Sequence, residues 1–250
     1  MSAQSQAKQN AARRAAEIIS DQLQRIKSLG IGTGSTVRLV LEHLMSSSYA
    51  RRLLGEKSLY VSSLDTFYVL RDYGFEPQLV VPRTGLDLYF DGADEVVIAS
   101  RYCDVVKGRG AALTREKILA YNSRKVVLVV DETKLAKKLG EHNKPLPIEV
   151  VPAAADAVLA FLDSQGVKAS LRMGCKCRDG PAITDNYGLI VDAWPWSLED
   201  IRGFIERLER VPGVIDHGFF SGFVDKVVVG YQDRVSVFEC LRTEKNPALA

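Results

Sequence analysis

The sequence predicts an α/β protein: a Rossmann-like, mainly parallel sheet covered by helices, with an inserted ferredoxin-like α+β domain. Three observations carry this. In the first half, short runs of apolar and β-branched residues alternate with segments of helical periodicity. Polar, glycine-containing clusters follow directly on several of those runs, as loops do at the carboxyl ends of parallel strands. From Pro145 the rhythm changes to β-α-β-β-α-β. Residues 1–144 and 222–250 are assigned to the first unit and 145–221 to the insert.

Ala11, Ala12, Ala15, Ala16, Ile18, Ile19 and Leu23 recur at helical spacing and predict a helix from Gln4 to about Lys27. A strand at Leu29–Ile31 runs through Gly32-Thr-Gly-Ser-Thr36 into a helix from Val37 to about Met45. Leu59–Val61 is a second strand, followed by Ser62-Ser-Leu-Asp-Thr66 and a helix through about Tyr73. Leu86–Phe90 is a third, running into Asp91-Gly-Ala-Asp-Glu95. Val105–Val106 leads into a turn at Lys107 and a helix from Leu113 to about Asn122. Lys125–Val130 is a strand followed by Asp131-Glu-Thr-Lys134. In the insert, Ile148–Val151, Lys168–Met173, Gly188–Ala193 and Gly213–Phe220 read as strands, and Ala153–Gln165 and Leu198–Arg210 as helices. Asp225–Tyr231 returns to the first sheet, and the polar tail after Arg242 reads as frayed.

Bulk properties narrow the function. The chain has 250 residues, 46% hydrophobic and 26% charged, which is ordinary soluble globular composition. Apolar runs such as Val126–Val130 are strand-sized and far short of a membrane span. The polar stretch Met1–Asn10 has no signal-peptide core, so a cytoplasmic location is expected. A net charge of +2 with both signs interspersed argues against a nucleic-acid surface. Four cysteines (Cys103, Cys175, Cys177 and Cys240) are too scattered for a disulfide framework and read as reduced thiols. Cys175-Lys-Cys177 has no second pair or nearby histidine, so no metal is expected.

The chemistry lies in the loops. Gly30-Ile-Gly-Thr-Gly-Ser-Thr36 joins a strand to a helix and offers free N–H groups and hydroxyls that suit a phosphate; the plain alternative is a capped tight turn. It is neither a dinucleotide fingerprint, since Ser35 stands where the third glycine would fall, nor a Walker loop. Asp91 and Asp94 put two carboxylates on one turn, suited to sugar hydroxyls or to ring opening; Asp91 as a simple turn cap is the alternative. Lys107-Gly-Arg-Gly-Ala-Ala-Leu-Thr-Arg-Glu-Lys117 places a cation, exposed amides and a carboxylate around a glycine-rich turn, a set suited to proton abstraction beside a carbonyl. The helix dipole would lower the basicity of Glu116 and burial would raise it; the sequence leaves that balance open. Lys134 is placed to neutralise a phosphate or simply to face solvent, and Ser62, Ser63 and Thr66 are weaker candidates for ligand contact.

Taken in order, these motifs closely resemble the type A ribose-5-phosphate isomerase family. Pro145-Leu-Pro-Ile-Glu-Val-Val-Pro152, Ala182-Ile-Thr-Asp-Asn186 and Val211-Pro-Gly-Val-Ile-Asp-His-Gly-Phe-Phe220 add to the match, which spans residues 10 to 232. The resemblance implies metal-free and cofactor-free interconversion of D-ribose 5-phosphate and D-ribulose 5-phosphate in the pentose phosphate pathway. It makes Glu116 the base between C1 and C2 and Lys107 the enediolate stabiliser, with Asp91 and Asp94 on the sugar. Thr33, Gly34, Ser35 and Thr36 would line the substrate, with Gly92, Ala93, Gly108, Arg109 and Gly110, while Lys134 holds the phosphate. Arg13 and Arg14 are weaker phosphate candidates. The implied assembly is a homodimer or homotetramer, with no nucleic-acid or membrane partner. One departure stands out: Arg109 replaces the middle glycine of the usual Lys-Gly-Gly-Gly, at a cost if that position needs positive φ. Two other readings are a non-catalytic sugar-phosphate sensor and a nicotinamide dehydrogenase. The retained Lys107 and Glu116 count against the sensor, and Ser35 against the dehydrogenase.

Overall fold

A computed structural model describes residues 2–174 and 179–249. The chain runs α1 (Ala3–Leu23), β1 (Ser28–Ile31), α2 (Ser35–Ser46), α3 (Ser48–Leu54), β2 (Ser58–Val61), α4 (Leu64–Asp72), β3 (Leu86–Asp91), β4 (Glu95–Ala99), β5 (Tyr102–Val106), α5 (Leu113–Tyr121) and β6 (Ser123–Asp131). It continues with β7 (Leu135–Ala136), β8 (Leu146–Val150), α6 (Ala155–Ser164), β9 (Lys168–Leu171), β10 (Leu189–Trp194), α7 (Ile201–Leu208), β11 (Val214–His217), β12 (Phe219–Ser221), β13 (Lys226–Gly230) and β14 (Val235–Glu239).

Six strands form the main sheet in the order β14-β13-β6-β3-β1-β2. Every neighbouring pair is parallel except β13 with β14. Because side chains alternate across a strand, each face feeds its own core. Val127 and Val129 of β6 join Leu29, Ile31 and Phe90 under the alanine stripe of α1, together with Leu41 of α2. Val126, Leu128 and Val130 face the other way, against Tyr89, Val105, Leu119 and Phe220.

The insert has its own core, around Ile148, Val158, Leu162, Val191 and Phe204. Its sheet runs β11-β8-β10-β9 and every pairing is antiparallel, the arrangement expected of a ferredoxin-like unit. The helix-covered parallel sheet and this smaller sheet are the fold class the sequence predicts.

Several elements differ from the sequence reading. A third sheet, β12-β5-β4-β7, was not anticipated, nor were α3 and β14. The expected strand Gly213–Phe220 is cut at Gly218: β11 pairs with β8, and β12 crosses to β5. The two pieces are contiguous apart from Gly218 and both carry large apolar residues, so hydrophobicity alone could not reveal the switch. The tail is not frayed. Leu249 is buried, its carbonyl accepts from Arg124 Nη1 (2.7 Å), and the Asn246 N–H donates to the Tyr121 carbonyl (2.9 Å). The expectation of reduced thiols fails at one pair. Cys103 and Cys240 form a disulfide across 137 residues, because the chain beyond β14 returns beside the start of β5. Cys175-Lys-Cys177 lies outside the described residues. Among the described residues, no helix is long and apolar enough to cross a membrane, and no group of three His, Cys, Asp or Glu side chains could hold a metal ion.

Candidate active site

Strand β1 lies between β2 and β3, so the chain winds one way from β1 and the other way from β3. Loops on either side of such a switch point part and leave a crevice at the carboxyl ends of the strands. Here the crevice is a cavity of about 470 Å³. It is walled by the Thr33–Thr36 loop after β1, the Gly92–Asp94 turn after β3 and the Lys107–Gly110 turn after β5, with Glu116 of α5 and Lys134 after β6. Lys8 of α1 and Asp65 of α4 complete the lining.

At the closed end, Lys107 is almost wholly buried. Its Nζ donates to the Gly92 carbonyl at 2.6 Å and lies 2.9 Å from Asp91 Oδ2. Glu116, equally buried, brings Oε2 to 3.3 Å from the same Nζ, an ion-pair separation but at an angle that makes no hydrogen bond. That carboxylate oxygen has no hydrogen-bond partner among the described residues. Burial pushes the Glu116 carboxyl up to about 8; the Lys107 ammonium opposes the shift, and Asp91 and Asp94 add to it. Burial therefore outweighs the opposing Lys107 charge on this side chain. On Lys107 burial pulls down, but the Asp91 and Glu116 carboxylates more than offset it and hold the pKa above the usual lysine value. The lysine stays charged while the base titrates near neutrality.

Asp91 lies beneath the cavity rather than in its wall. Its Oδ1 accepts from the Thr33 (3.2 Å) and Gly92 (2.7 Å) N–H groups, and its Oδ2 accepts from the Tyr89 hydroxyl. Gly32 makes this possible, since a Cβ there would lie 2.0 Å from the Asp91 carboxyl. The sequence expectation that Asp91 touches a sugar is thus not met by its placement: all of it is buried and spent on the lysine and the loops. Asp94 does face the cavity, and its Oδ2 accepts from the Arg109 N–H at 2.9 Å.

The Lys107 turn needs positive φ at Gly108 (103°) and Ala111 (58°), but not at Arg109. Arg109 therefore fits without the backbone strain feared for it. Among the described residues, the N–H groups of Gly108 and Gly110 have no acceptor, and both residues line the cavity. The insert steadies the elements behind them. Arg115, beside Glu116, donates from Nε to Asn186 Oδ1 and from Nη2 to the Asp185 carbonyl, each at 2.7 Å.

The open end is cationic. α2 begins after Gly34, so its first turn has unpaired N–H groups, and Ser35 and Thr36 of that turn line the cavity. Lys8 Nζ donates to Ser35 Oγ at 2.6 Å. Burial pulls the Lys8 pKa down, Asp131 pushes it up, and Lys134 and Arg109 add to the lowering. Three cations repelling one another around a helix N-terminus make a site for an anion. The sequence reading does not include Lys8; it names Lys134 for the phosphate, with Arg13 and Arg14 as weaker candidates. Those two lie elsewhere: Arg14 pairs with Glu17, and Arg13 lines a separate cleft. Ser63 and Thr66 support the first loop from below, through Thr33 Oγ1 (2.8 Å) and the Gly32 carbonyl (2.7 Å). Ser62 is fully buried, and its hydroxyl has no partner among the described residues.

A family profile described as ribose 5-phosphate isomerase A (phosphoriboisomerase A) matches residues 59–234. The chain belongs to this family. The ribose-5-phosphate isomerase A of Pyrococcus furiosus is 36% identical over 241 residues, covering 93% of this chain and 97% of that protein. Its counterpart in Methanocaldococcus jannaschii is 35% identical over 214 residues, 84% and 89% of the two chains. The solved structure of the latter superposes with a TM-score of 0.81 at 33% identity, over 93% and 98% of the chains. A D-ribose-5-phosphate isomerase in complex with phospho-erythronic acid gives 0.83 at 33% identity, over 96% and 100%. Isomerase family and fold are thus as the motifs implied.

Proposed function

We propose that this chain interconverts D-ribose 5-phosphate and D-ribulose 5-phosphate, in the non-oxidative branch of the pentose phosphate pathway, by proton transfer through an enediolate. The observation that carries this reading is the buried Glu116 carboxylate in the cavity lining, 3.3 Å from the Nζ of a charged Lys107. One base must serve two adjacent carbons, and an electrophile must hold the oxygen that becomes negative between the two transfers. Glu116, titrating near 8, is the base. Lys107 and the free N–H groups of the Gly108–Gly110 turn are the electrophile, already oriented before charge develops.

Asp91 acts through Lys107, holding its Nζ toward the reacting oxygens. Asp94 meets the sugar hydroxyls and assists ring opening. Lys8, Lys134 and the N-terminus of α2 bind the phosphate, which fixes C1 and C2 against Glu116. The chemistry is supplied by side chains, and the reading calls for no cofactor. We further assign residues 1–144 with 222–250 to the catalytic unit and 145–221 to the ferredoxin-like insert, and infer a homo-oligomer in the cytoplasm. A sensor would have no use for a buried carboxylate poised beside a lysine.

The test is conversion of ribose 5-phosphate by the purified protein, with Glu116→Gln as its partner. The parent should turn over, and the variant should lose about a thousandfold or more in kcat while still binding a phosphorylated four-carbon acid. Comparable turnover by the two proteins would remove Glu116 from the role of base.

A further inference from the structure

The turn that carries Lys107 is gripped from the insert by Arg172, just beyond β9. The backbone of Arg172 is fixed on both sides: its N–H donates to the Ile190 carbonyl (2.8 Å), and its carbonyl accepts from the Ala182 N–H (2.9 Å). Its guanidinium is held in plane by Asp192 of β10, which accepts from Nε at 2.8 Å and from Nη2. That leaves Nη1, which donates to two successive carbonyls of the turn, Gly108 at 2.9 Å and Arg109 at 3.0 Å.

In a trans peptide the C=O and the following N–H point in opposite directions. Drawing the Gly108 carbonyl toward Arg172 therefore turns the Arg109 N–H the other way, where it meets Asp94 Oδ2. Drawing the Arg109 carbonyl the same way turns the Gly110 N–H away from Arg172, and this N–H has no acceptor among the described residues. The Gly108 carbonyl also accepts from the Ala111 N–H at 3.0 Å, so the turn itself shares in holding the first of these two planes, whereas the Arg109 carbonyl has Arg172 as its one donor among the described residues. One plane aims Asp94 and the other presents a donor. Glycine at 110 makes the second plane easy to flip, and a flip would swing a carbonyl toward the cavity.

We propose that Arg172, with Asp192 behind it, is a positioning residue for the isomerisation, acting through the Gly108–Gly110 peptides. The inference rests on the functional reading above. Its test has two readouts, steady-state kinetics and trypsin cleavage at Arg109–Gly110 in the folded protein, the second independent of activity. Arg172→Met should lower kcat about 10–100-fold with KM changed less than about threefold, because Lys8, Lys134 and the N-terminus of α2, which hold the phosphate, lie outside the turn. Cleavage at Arg109–Gly110 should be roughly tenfold faster as the turn opens locally. Arg172→Lys should recover part of kcat, since one ammonium can reach a carbonyl but cannot also hold the fork to Asp192. If Arg172→Met does not fold, Asp192→Asn carries the same comparison, with smaller changes in the same directions. Unchanged cleavage with kcat within about twofold of the parent overturns the proposal, as does a loss confined to KM. A parent that fails to convert ribose 5-phosphate would sink the functional reading instead, and the cleavage comparison would still decide whether Arg172 holds the turn.

Discussion

The pKa of Glu116 makes the pH profile the sharpest consequence of the site. Catalysis needs the ionised carboxylate, and burial has moved its titration to about 8. About a tenth of the free enzyme is then competent at pH 7 and about nine-tenths at pH 9, so kcat/KM should rise roughly tenfold between them, with unit slope below 8. The substrate phosphate, with its second pKa near 6, should add a further fall below about pH 6. No loss at high pH is expected from Lys107 within the assay range, because its neighbours hold its pKa up. Asp94 is one of the groups that raise Glu116, so Asp94→Asn should move the limb to lower pH even as it weakens turnover. The assay is initial rate at subsaturating ribose 5-phosphate from pH 5 to 10 in buffers of constant ionic strength. A profile already flat from pH 6 upward would refute the reasoning, since it would mean a base in the ordinary carboxylate range. The same shift acts on stability. Between about 4.3, the unfolded value, and about 8, the folded protein keeps a proton that the unfolded chain has lost, so stability falls as pH rises through that window. Glu116→Gln removes this penalty. Its gain in Tm over the parent should be absent near pH 4 and complete above pH 8.

Three other substitutions probe separate parts of the account. Lys8→Ala removes a charged donor from the anion end and should raise KM about 10–100-fold, with kcat within a few-fold, and inorganic phosphate should inhibit it correspondingly less. Gly32→Ala places a methyl group 2.0 Å from the Asp91 carboxyl; chemical denaturation should show a loss of roughly 1–3 kcal/mol, and kcat should fall as Lys107 loses its orientation. Arg109→Gly relieves no strain, because Arg109 is not at positive φ, so stability should drop by about 0.5–1 kcal/mol through backbone entropy alone. A rise in stability would show that the turn is strained at that position.

What could be read from the sequence was local. The Lys107 turn, Glu116 and the first loop are contiguous motifs whose polar residues follow strands, and a parallel sheet gathers such loops at one edge. What could not be read depends on distant partners. Lys8 meets Ser35 across 27 residues and looks like any exposed lysine on a polar helix face. Cys103 and Cys240 are joined only because β14 brings the chain back. Asp91 sits in a sequence that reads as an exposed turn, yet Tyr89, Lys107 and two loop amides enclose it. Whether Glu116 is buried or exposed could not be read from its own segment; in the fold it is almost wholly buried beside Lys107. The third sheet escaped because β4 begins at Glu95, inside what reads as the polar Asp91 turn, β7 has two residues, and β12 lies in a run that also serves the insert.

The claim at the centre of this account is that one carboxylate carries hydrogen as a proton between neighbouring carbons. The most direct measurement is proton NMR of ribose 5-phosphate incubated in deuterated water with the parent and with Glu116→Gln. The account predicts deuterium at C1 of the ribulose 5-phosphate formed by the parent, and neither label nor appreciable product with the variant. Ketose from the parent that stays unlabelled at C1 even after many turnovers at equilibrium, or labelled ketose made by the variant at the parental rate, would contradict it.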